Sequence, residues 1–135
     1  MPLEYLGAPP VASDRQARPF SPAVRAGDFI YVSGQVPANK DGEIVVGGIE
    51  AQTRQVMENL KTALASVGGG FEHVVKLNSY LTNIEANGAE FREVRGSYFP
   101  NKQALPASTL VQVPRLANPA FLLEIEAVAI LPPKA

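Results

Sequence analysis

Two glutamates interrupt the most apolar stretch of the sequence, which runs from Phe121 to Leu131. Alternation along a strand places Glu124 and Glu126 on one face, beside Leu122 and Val128. An ionised carboxylate among apolar side chains costs several kcal/mol unless it is paired or faces a cavity. A carboxylate that faces a cavity can transfer protons in a reaction. The other interpretation is that these carboxylates find arginine or backbone partners at a subunit interface, where structural ion pairs are common.

The residue inventory excludes most other kinds of catalytic site. The chain of 135 residues has no cysteine and a single histidine, His73. Thiol nucleophiles, zinc–thiolate sites, iron–sulfur clusters and disulfide scaffolds are therefore excluded. His73 stands at a predicted helix-to-strand junction, where we expect a structural or surface role, and no Gly-x-Ser-x-Gly motif offers a serine nucleophile. We expect neither a metal ion nor a cofactor.

Charge and hydropathy limit the partners of the chain. Twelve Lys and Arg residues against 13 Asp and Glu residues give a net charge of −1. Binding to duplex nucleic acid depends on basic residues that neutralise phosphates, so we expect no nucleic-acid partner. No apolar run approaches the roughly 20 residues of a membrane-spanning helix, and no targeting segment is evident. With 46% hydrophobic residues, the sequence predicts one domain over residues 1–135, in the cytoplasm and without membrane contact.

Periodicity and turn residues predict the elements that would position the glutamates. From Ile49 to Val67, apolar residues recur at three- and four-residue steps, which predicts an amphipathic helix ending at a run of three glycines. A second helix is predicted from about Gly88 to Phe99. An irregular lead-in is predicted over residues 1–16, and strands over residues 28–34, 43–46, 74–81, 108–113 and 121–131. This order predicts an α+β fold, with both helices on one face of the sheet and the last strand central and buried on both faces.

Several segments, taken in order, resemble one protein family. They are Phe20-Ser21-Pro22-Ala23-Val24, the run from Phe29 to Pro37, Val74-Val75-Lys76-Leu77, Leu105-Pro106-Ala107 and Glu124-Ile125-Glu126-Ala127. Over roughly residues 17–131, the sequence resembles the RidA/YjgF family of small enamine/imine deaminases. The resemblance implies a chorismate-mutase-like α+β fold. It also implies a homotrimer with three small-molecule pockets between its subunits.

The resemblance also implies roles for particular residues. A glutamate on the last strand of the family positions and activates water, and Glu124 stands at that position. The hydrolysed enamine or imine releases ammonia and a keto acid. The positions implied to bind substrate are Phe20, Ser33, Gly34, Ser108, Thr109 and Leu110.

The sequence departs from the family pattern at the residue that binds the substrate carboxylate. The family has Pro-Ala-Arg, whereas this chain reads Pro106-Ala107-Ser108. A hydroxyl cannot replace a guanidinium, and loss of a charge-assisted bidentate contact costs about 1.5–3 kcal/mol or more. Phe20 also stands where tyrosine is usual, and the asparagine of the second helix is not evident.

Three arginines are candidates for the missing cation. Arg92 and Arg95 would reach the pocket from the predicted second helix. Arg115 lies beside Pro114 and resembles a structural arginine of the family. A surface role is the other interpretation for each of them.

Two functions stay open at this point. The first is a divergent enamine/imine hydrolase, including the aminomuconate-type deaminases, with weak or absent activity toward 2-aminoacrylate. The second is a non-catalytic trimeric module that binds a metabolite or stabilises partner proteins. Glu124 favours the first function, because a carboxylate in a costly place serves no purpose in a binding remnant. Ser108 favours the second function or a changed substrate.

Overall fold

The structure, a computed structural model, describes residues 2–7 and 19–132, which form one sheet and two helices. The strands are β1 (Leu3–Leu6), β2 (Ala23–Ala26), β3 (Phe29–Gln35), β4 (Val74–Leu81), β5 (Ala107–Gln112) and β6 (Leu123–Ile130). The helices are α1 (Gly48–Ser66) and α2 (Ile84–Gly96), and a short 3-10 turn covers Phe71–His73.

The last strand lies in the interior of the sheet, whose strand order is β1-β2-β3-β6-β4-β5. β4 and β5 are parallel, and the other described neighbours are antiparallel. α1 contacts α2, β3 and β6, while α2 also contacts β4, so both helices cover the same face. The predicted α+β fold with two helices on one face of the sheet is confirmed.

The apolar stripe of α1 forms the centre of the core. Its residues Val56, Met57, Leu60 and Leu64 are fully buried against the sheet. The helix ends within one residue of the predicted position, where Gly68 takes a φ of +84° that glycine adopts without steric cost. The 3.6-residue period was therefore a sufficient signal for this element.

The N-terminal part of the sheet differs from the prediction. Residues 1–16 were predicted as an irregular lead-in, but Leu3–Leu6 forms β1, which pairs antiparallel with β2. β1 is an edge strand whose side chains are mostly exposed, so it carries no alternation of apolar and polar residues that would predict it. The remainder of the predicted lead-in, from residue 8 to 16, lies outside the described residues.

One further predicted strand and the start of the second helix also differ from the prediction. The strand predicted over residues 43–46 is wrong, since this segment makes a single isolated bridge between Ala38 and Ile44. α2 begins at Ile84 rather than Gly88, because the Asn83 side chain accepts a hydrogen bond of 3.0 Å from the N–H of Ala86 and caps the helix there.

The two faces of β6 are not equally buried, in contrast to the prediction. Leu123, Ile125, Ala127 and Ala129 are buried beneath the helices. On the opposite face Glu124, Glu126 and Val128 are half-buried and Ile130 is exposed. We call that opposite face the open face. The predicted alternation is correct, and it places both glutamates there.

A buried amide on α1 fixes the start of β6. Gln52 is 5% exposed, and its Nε2 donates to the carbonyl oxygens of Val45 and Ala120 at 3.1 and 3.0 Å. Its Oε1 accepts a bond of 2.8 Å from the N–H of Leu122. One side chain thus satisfies three backbone groups and ties the entry of β6 to the helix layer.

We expect Gln52→Ala to destabilise the protein by about 1–3 kcal/mol, because it leaves buried backbone groups without partners. Gln55→Ala is the matched control, since Gln55 on the same helix donates to the side chain of Asn59 alone among the described residues. Urea unfolding of both variants measures the difference. Equal midpoints for the two variants would contradict the role assigned to Gln52.

Candidate functional site

The carboxyl group of Glu124 lies directly against the backbone of Gly34. A Cβ built on Gly34 would collide with a carboxyl oxygen of Glu124 and would lie 2.8 Å from its carboxyl carbon. The pairing of β3 with β6 shifts register between Val32 and Gln35, which places one extra residue on β3 at this point. Gly34 is therefore required for close approach rather than for an unusual backbone conformation.

Glu126 is held in place by polar partners. Its Oε1 accepts a bond of 2.6 Å from the Tyr80 hydroxyl and one of 3.3 Å from Nδ2 of Asn78. The bond to Glu126 raises the pKa of Tyr80, and burial and the charges of both glutamates raise it further. Both partners come from β4, the neighbouring strand. Glu126 therefore matches the structural interpretation of a satisfied carboxylate, with partners inside the chain.

Glu124 differs from Glu126 in its hydrogen-bond partners. Among the described residues, no side chain or N–H forms a hydrogen bond or ion pair with its carboxyl group. Burial raises the pKa of Glu124, and the negative charge of Glu126 raises it further. A half-buried carboxylate that is left without a partner is available for proton transfer.

A groove of about 660 Å³ opens beside Gly34, between β3 and α1. Phe20 and Ser33 line it together with Gly34, so the structure brings these three predicted residues together. The Ser33 hydroxyl donates to the carbonyl oxygen of Ser21, and this bond anchors the segment that carries Phe20. Phe20 itself is exposed. Gly34 thus lines the groove and also contacts the Glu124 carboxyl group, whereas Glu124 itself is not a lining residue and points to the open face.

The predicted residues on β5 lie on two different faces. Ser108 is the register partner of Leu77, which is fully buried, so Ser108 and Leu110 point to the helix side. Thr109 is the partner of Asn78 on the open face, and its Oγ1 accepts a bond of 2.8 Å from Nζ of Lys76. Ser108, Thr109 and Leu110 therefore do not form one cluster within the chain.

Within a single protomer, Ser108 and Glu124 also lie far apart. β4 lies between β5 and β6, and two strand spacings amount to about 10 Å. The register adds a further displacement along the strands, because Ser108 lies level with Leu77 and Glu124 with Tyr80. The two side chains also point to opposite faces of the sheet. One small molecule therefore does not reach both of them in one chain.

The three candidate arginines have different surroundings. Arg95 is half-buried, and its Nη1 donates a bond of 2.9 Å to the Ser108 hydroxyl. Arg92 is exposed on the same helix. Arg115 donates from Nε and Nη2 to the carbonyl oxygens of Leu116 and Ala117, at 3.0 and 3.1 Å, and so braces its own loop. Among the three candidates, Arg95 is therefore the one that contacts Ser108.

His73 has the structural role that the sequence predicts. Its Nδ1 accepts a bond of 3.0 Å from the N–H of Gly70 and caps the 3-10 turn. Within residues 2–7 and 19–132, no three histidine or acidic side chains are grouped closely enough to bind a metal ion.

Two side chains beside the glutamates were not predicted, although the sequence carries a signal for them. Asn78 and Tyr80 are polar residues two positions apart on the predicted strand 74–81, hence on one face. That face carries the partners of Glu126, but the sequence does not show which strand pairs with β6. Gln52 gave no such signal, since a polar residue on a helix is normally exposed.

Comparison with known proteins identifies the family of the chain. The profile of the family described as Endoribonuclease L-PSP matches residues 12–131. The chain belongs to this family, the RidA/YjgF family. A RutC family protein of Pyrococcus horikoshii is 42% identical over 82% of this chain and 86% of that protein. The 3-aminoacrylate deaminase RutC of Acinetobacter baylyi is 35% identical over 96% of this chain and 98% of its own length.

The fold also agrees with solved structures of the RidA/YjgF family. The crystal structure of yeast Mmf1 superposes with a TM-score of 0.83 at 33% identity, covering 96% of this chain and 99% of that chain. In the part of the chain that the structure describes, neither helix is both long and apolar enough to cross a membrane.

We expect Gly34→Ala to displace the Glu124 carboxyl group from its half-buried position. The titration midpoint of Glu124, measured by carboxyl ¹³C NMR, then moves back toward that of an ordinary glutamate. Stability changes by less than about 1 kcal/mol, because the end of a flexible side chain can move aside.

Gly96→Ala is the matched control for this substitution. An added Cβ meets no atom within 4 Å there, and Gly96 has no positive φ. It should leave the titration of Glu124 unchanged. An unchanged midpoint in Gly34→Ala as well would show that Gly34 does not determine the position of the carboxyl group.

Proposed function

We propose that the chain is an enamine/imine hydrolase of the RidA/YjgF family with altered substrate specificity. The observation that carries the proposal is the half-buried Glu124 carboxyl group, which has no partner among the described residues and lies against the backbone of Gly34, a residue that also lines a groove. Its neighbour Glu126, two residues away, accepts hydrogen bonds from Tyr80 and Asn78 on Oε1. The contrast between the two supports a catalytic role for Glu124 alone.

The reaction needs a base and later an acid, and one carboxyl group can serve as both. An enamine gains a proton at carbon and becomes an iminium ion. The Glu124 carboxylate takes a proton from water as the water oxygen bonds to the iminium carbon, which gives a carbinolamine. The carboxylic acid then returns the proton to the nitrogen. The C–N bond breaks and ammonia leaves. The hydroxyl group then gives its proton to water, which balances the proton that the enamine carbon first took from water, and the remaining carbon becomes a carbonyl group.

A deaminase among the relatives supports this reaction class. The protein of Acinetobacter baylyi that is 35% identical to this chain is named 3-aminoacrylate deaminase. Ser108 stands where the family pattern has arginine, which supports a different mode of substrate binding. We therefore expect weak activity toward 2-aminoacrylate.

We infer that the protein is a homotrimer. The large apolar side chains on the open face support this inference, because Phe29, Tyr31, Val111 and Ile130 are 43%, 50%, 41% and 37% exposed. An apolar face of this kind is typical of a surface covered by another subunit. The separation of Ser108 from Glu124 within one chain also supports a pocket that two subunits share.

Two further inferences concern location and the alternative function. A cytoplasmic location stays a prediction, since one relative, from yeast and 35% identical, is named as a mitochondrial protein. A non-catalytic module that binds a small molecule is the second candidate, and Ser108 in place of the arginine favours it. Turnover that depends on Glu124 distinguishes the two functions.

We expect Glu124→Gln to lower turnover by about 10²- to 10⁴-fold, the usual contribution of a general acid–base group. Ammonia release is measured on short enamine and imine acids, with 2-aminoacrylate and 3-aminoacrylate among them. Glu126→Gln is the matched control, because its neighbouring carboxylate faces Tyr80 instead of Gly34. No turnover of any of these acids by the wild-type protein, or full turnover by Glu124→Gln, would remove the proposed function.

The raised pKa of Glu124 predicts the acid limb of the pH profile. Glu124 works as a base in its ionised form, so activity falls as the pH decreases through its pKa. That limb should lie above the ordinary glutamate value of about 4.3. Glu126→Gln removes a neighbouring negative charge and should move the limb toward lower pH. A limb at the same pH in both proteins would contradict the electrostatic coupling.

A further inference from the structure

The last turn of α2 presents a guanidinium group to the outer strand of the sheet. Nη1 of Arg95 donates a bond of 2.9 Å to Oγ of Ser108. The guanidinium carbon lies 5.8 Å from the ring centroid of Phe91, one turn earlier on the same helix. Arg95 is thus oriented from two sides, by a hydrogen bond and by a cation–π contact.

The charge of Arg95 is not neutralised within the described part of the chain. No acidic side chain there forms an ion pair with it, and its Nε is buried without a hydrogen-bond partner. Burial lowers the pKa of Arg95, and the charge of Arg92 lowers it further, yet an arginine remains protonated near neutral pH. A partly desolvated cation that lacks a partner is costly, and an incoming anion relieves that cost.

We propose that Arg95, oriented by Ser108, binds the carboxylate of the substrate. The substrate class is a short enamine or imine acid and the product a 2-keto acid, a class that rests on the proposed function. Arg95 uses one N–H on Ser108, and its other Nη donors match the planar geometry of a carboxylate. Ser108 is a positioning residue that accepts a hydrogen bond from the cation. The cation reaches the pocket from α2 rather than from β5.

Arg95 and Glu124 of one protomer do not meet the same small molecule. Ser108 and Glu124 point to opposite faces of the sheet and are separated by β4. A site that uses both Arg95 and Glu124, as the proposed function requires, therefore draws them from two copies of the chain. The site is incomplete in one chain.

Two other roles for Arg95 predict different results. A cation in the last turn of a helix interacts favourably with the helix dipole, which affects stability but not ligand binding. An ion pair with a carboxylate of a second copy would affect assembly instead. Neither role makes Arg95 sensitive to the charge of a small molecule.

Binding of a product analogue tests the proposal directly. Pyruvate and its neutral methyl ester differ in the charge of the carboxyl group, and calorimetry or NMR titration measures both. We expect Arg95→Gln to weaken pyruvate binding about 10- to 100-fold and to leave methyl pyruvate unchanged. Arg92→Gln is the matched control on the exposed side of the same helix. Arg95→Lys should restore part of the affinity, because it restores the charge but not the fork.

Several results would overturn the proposal. They are the absence of pyruvate binding in the wild-type protein, equal binding by Arg95→Gln, or an equal loss in Arg92→Gln. A change of oligomeric state in Arg95→Gln with unchanged pyruvate binding would assign the residue to an interface. Glutamine keeps the stem and a donor for Ser108, and thermal unfolding of each variant checks that the protein is folded.

Mixed oligomers test the arrangement across protomers. Glu124→Gln and Arg95→Gln chains are unfolded together at equal amounts and refolded. In a cyclic trimer with sites shared by neighbouring subunits, about one site in four receives both native side chains. We therefore expect recovery of about a quarter of wild-type turnover from two weakly active parents. No recovery would place both residues in one chain and overturn the shared site.

Failure of the carboxylate site and failure of the proposed function give different results. Glu124→Gln should retain pyruvate binding while it loses turnover. Pyruvate binding that depends on Arg95 in a protein without turnover would keep the anion site and remove the hydrolase. The converse result is turnover that needs Glu124 while Arg95→Gln changes neither KM nor the affinity for pyruvate. That result would keep the hydrolase and remove the anion site.

Discussion

The burial of one face of β6 under the helices determines where the chemistry of this chain can lie. Leu123, Ile125, Ala127 and Ala129 occupy the core, so strand alternation leaves Glu124 and Glu126 no position except the open face. A slip of one residue would exchange the faces and move both carboxylates into the apolar core, which is prohibitively costly. The amide of Gln52 holds the entry of the strand from α1 and so opposes such a slip.

Two chemically identical side chains on this strand differ in their hydrogen bonding. Glu126 receives a phenol and an amide from β4 and is satisfied. Glu124 lies against a glycine, which offers no side-chain donor, and its proton affinity rises because burial and Glu126 both disfavour its charge. The pair therefore separates into a structural carboxylate and a carboxylate that can exchange a proton. A single amino acid without a side chain, Gly34, makes the space for the second state.

Local periodicity predicted α1 and β4, because burial of one face requires a repeat of apolar residues. β5 was predicted from its β-rich composition and β6 from its long apolar run. β1 could not be predicted, since an exposed edge strand is held by backbone pairing and needs no such pattern. The start of α2 depends on the side chain of Asn83, a cap signal that the placement at Gly88 overlooked. Glu124 was a predicted site residue, but its contact with Gly34 joins residues that are far apart in sequence. That contact depends on the pairing of β3 with β6.

The proposed carboxylate site on Arg95 has a consequence for selectivity. A guanidinium on β5 would extend from the edge of the sheet, whereas the Arg95 side chain comes from the last turn of α2 and is oriented by Ser108 and Phe91. On this proposal a carboxylate is still recognised, but the cation holds it from a different direction. The substrate carbon that the water attacks would then take a different position, and the reaction depends on the orientation of the reacting atoms. The proposed change of specificity therefore requires a displaced charge and not a lost one.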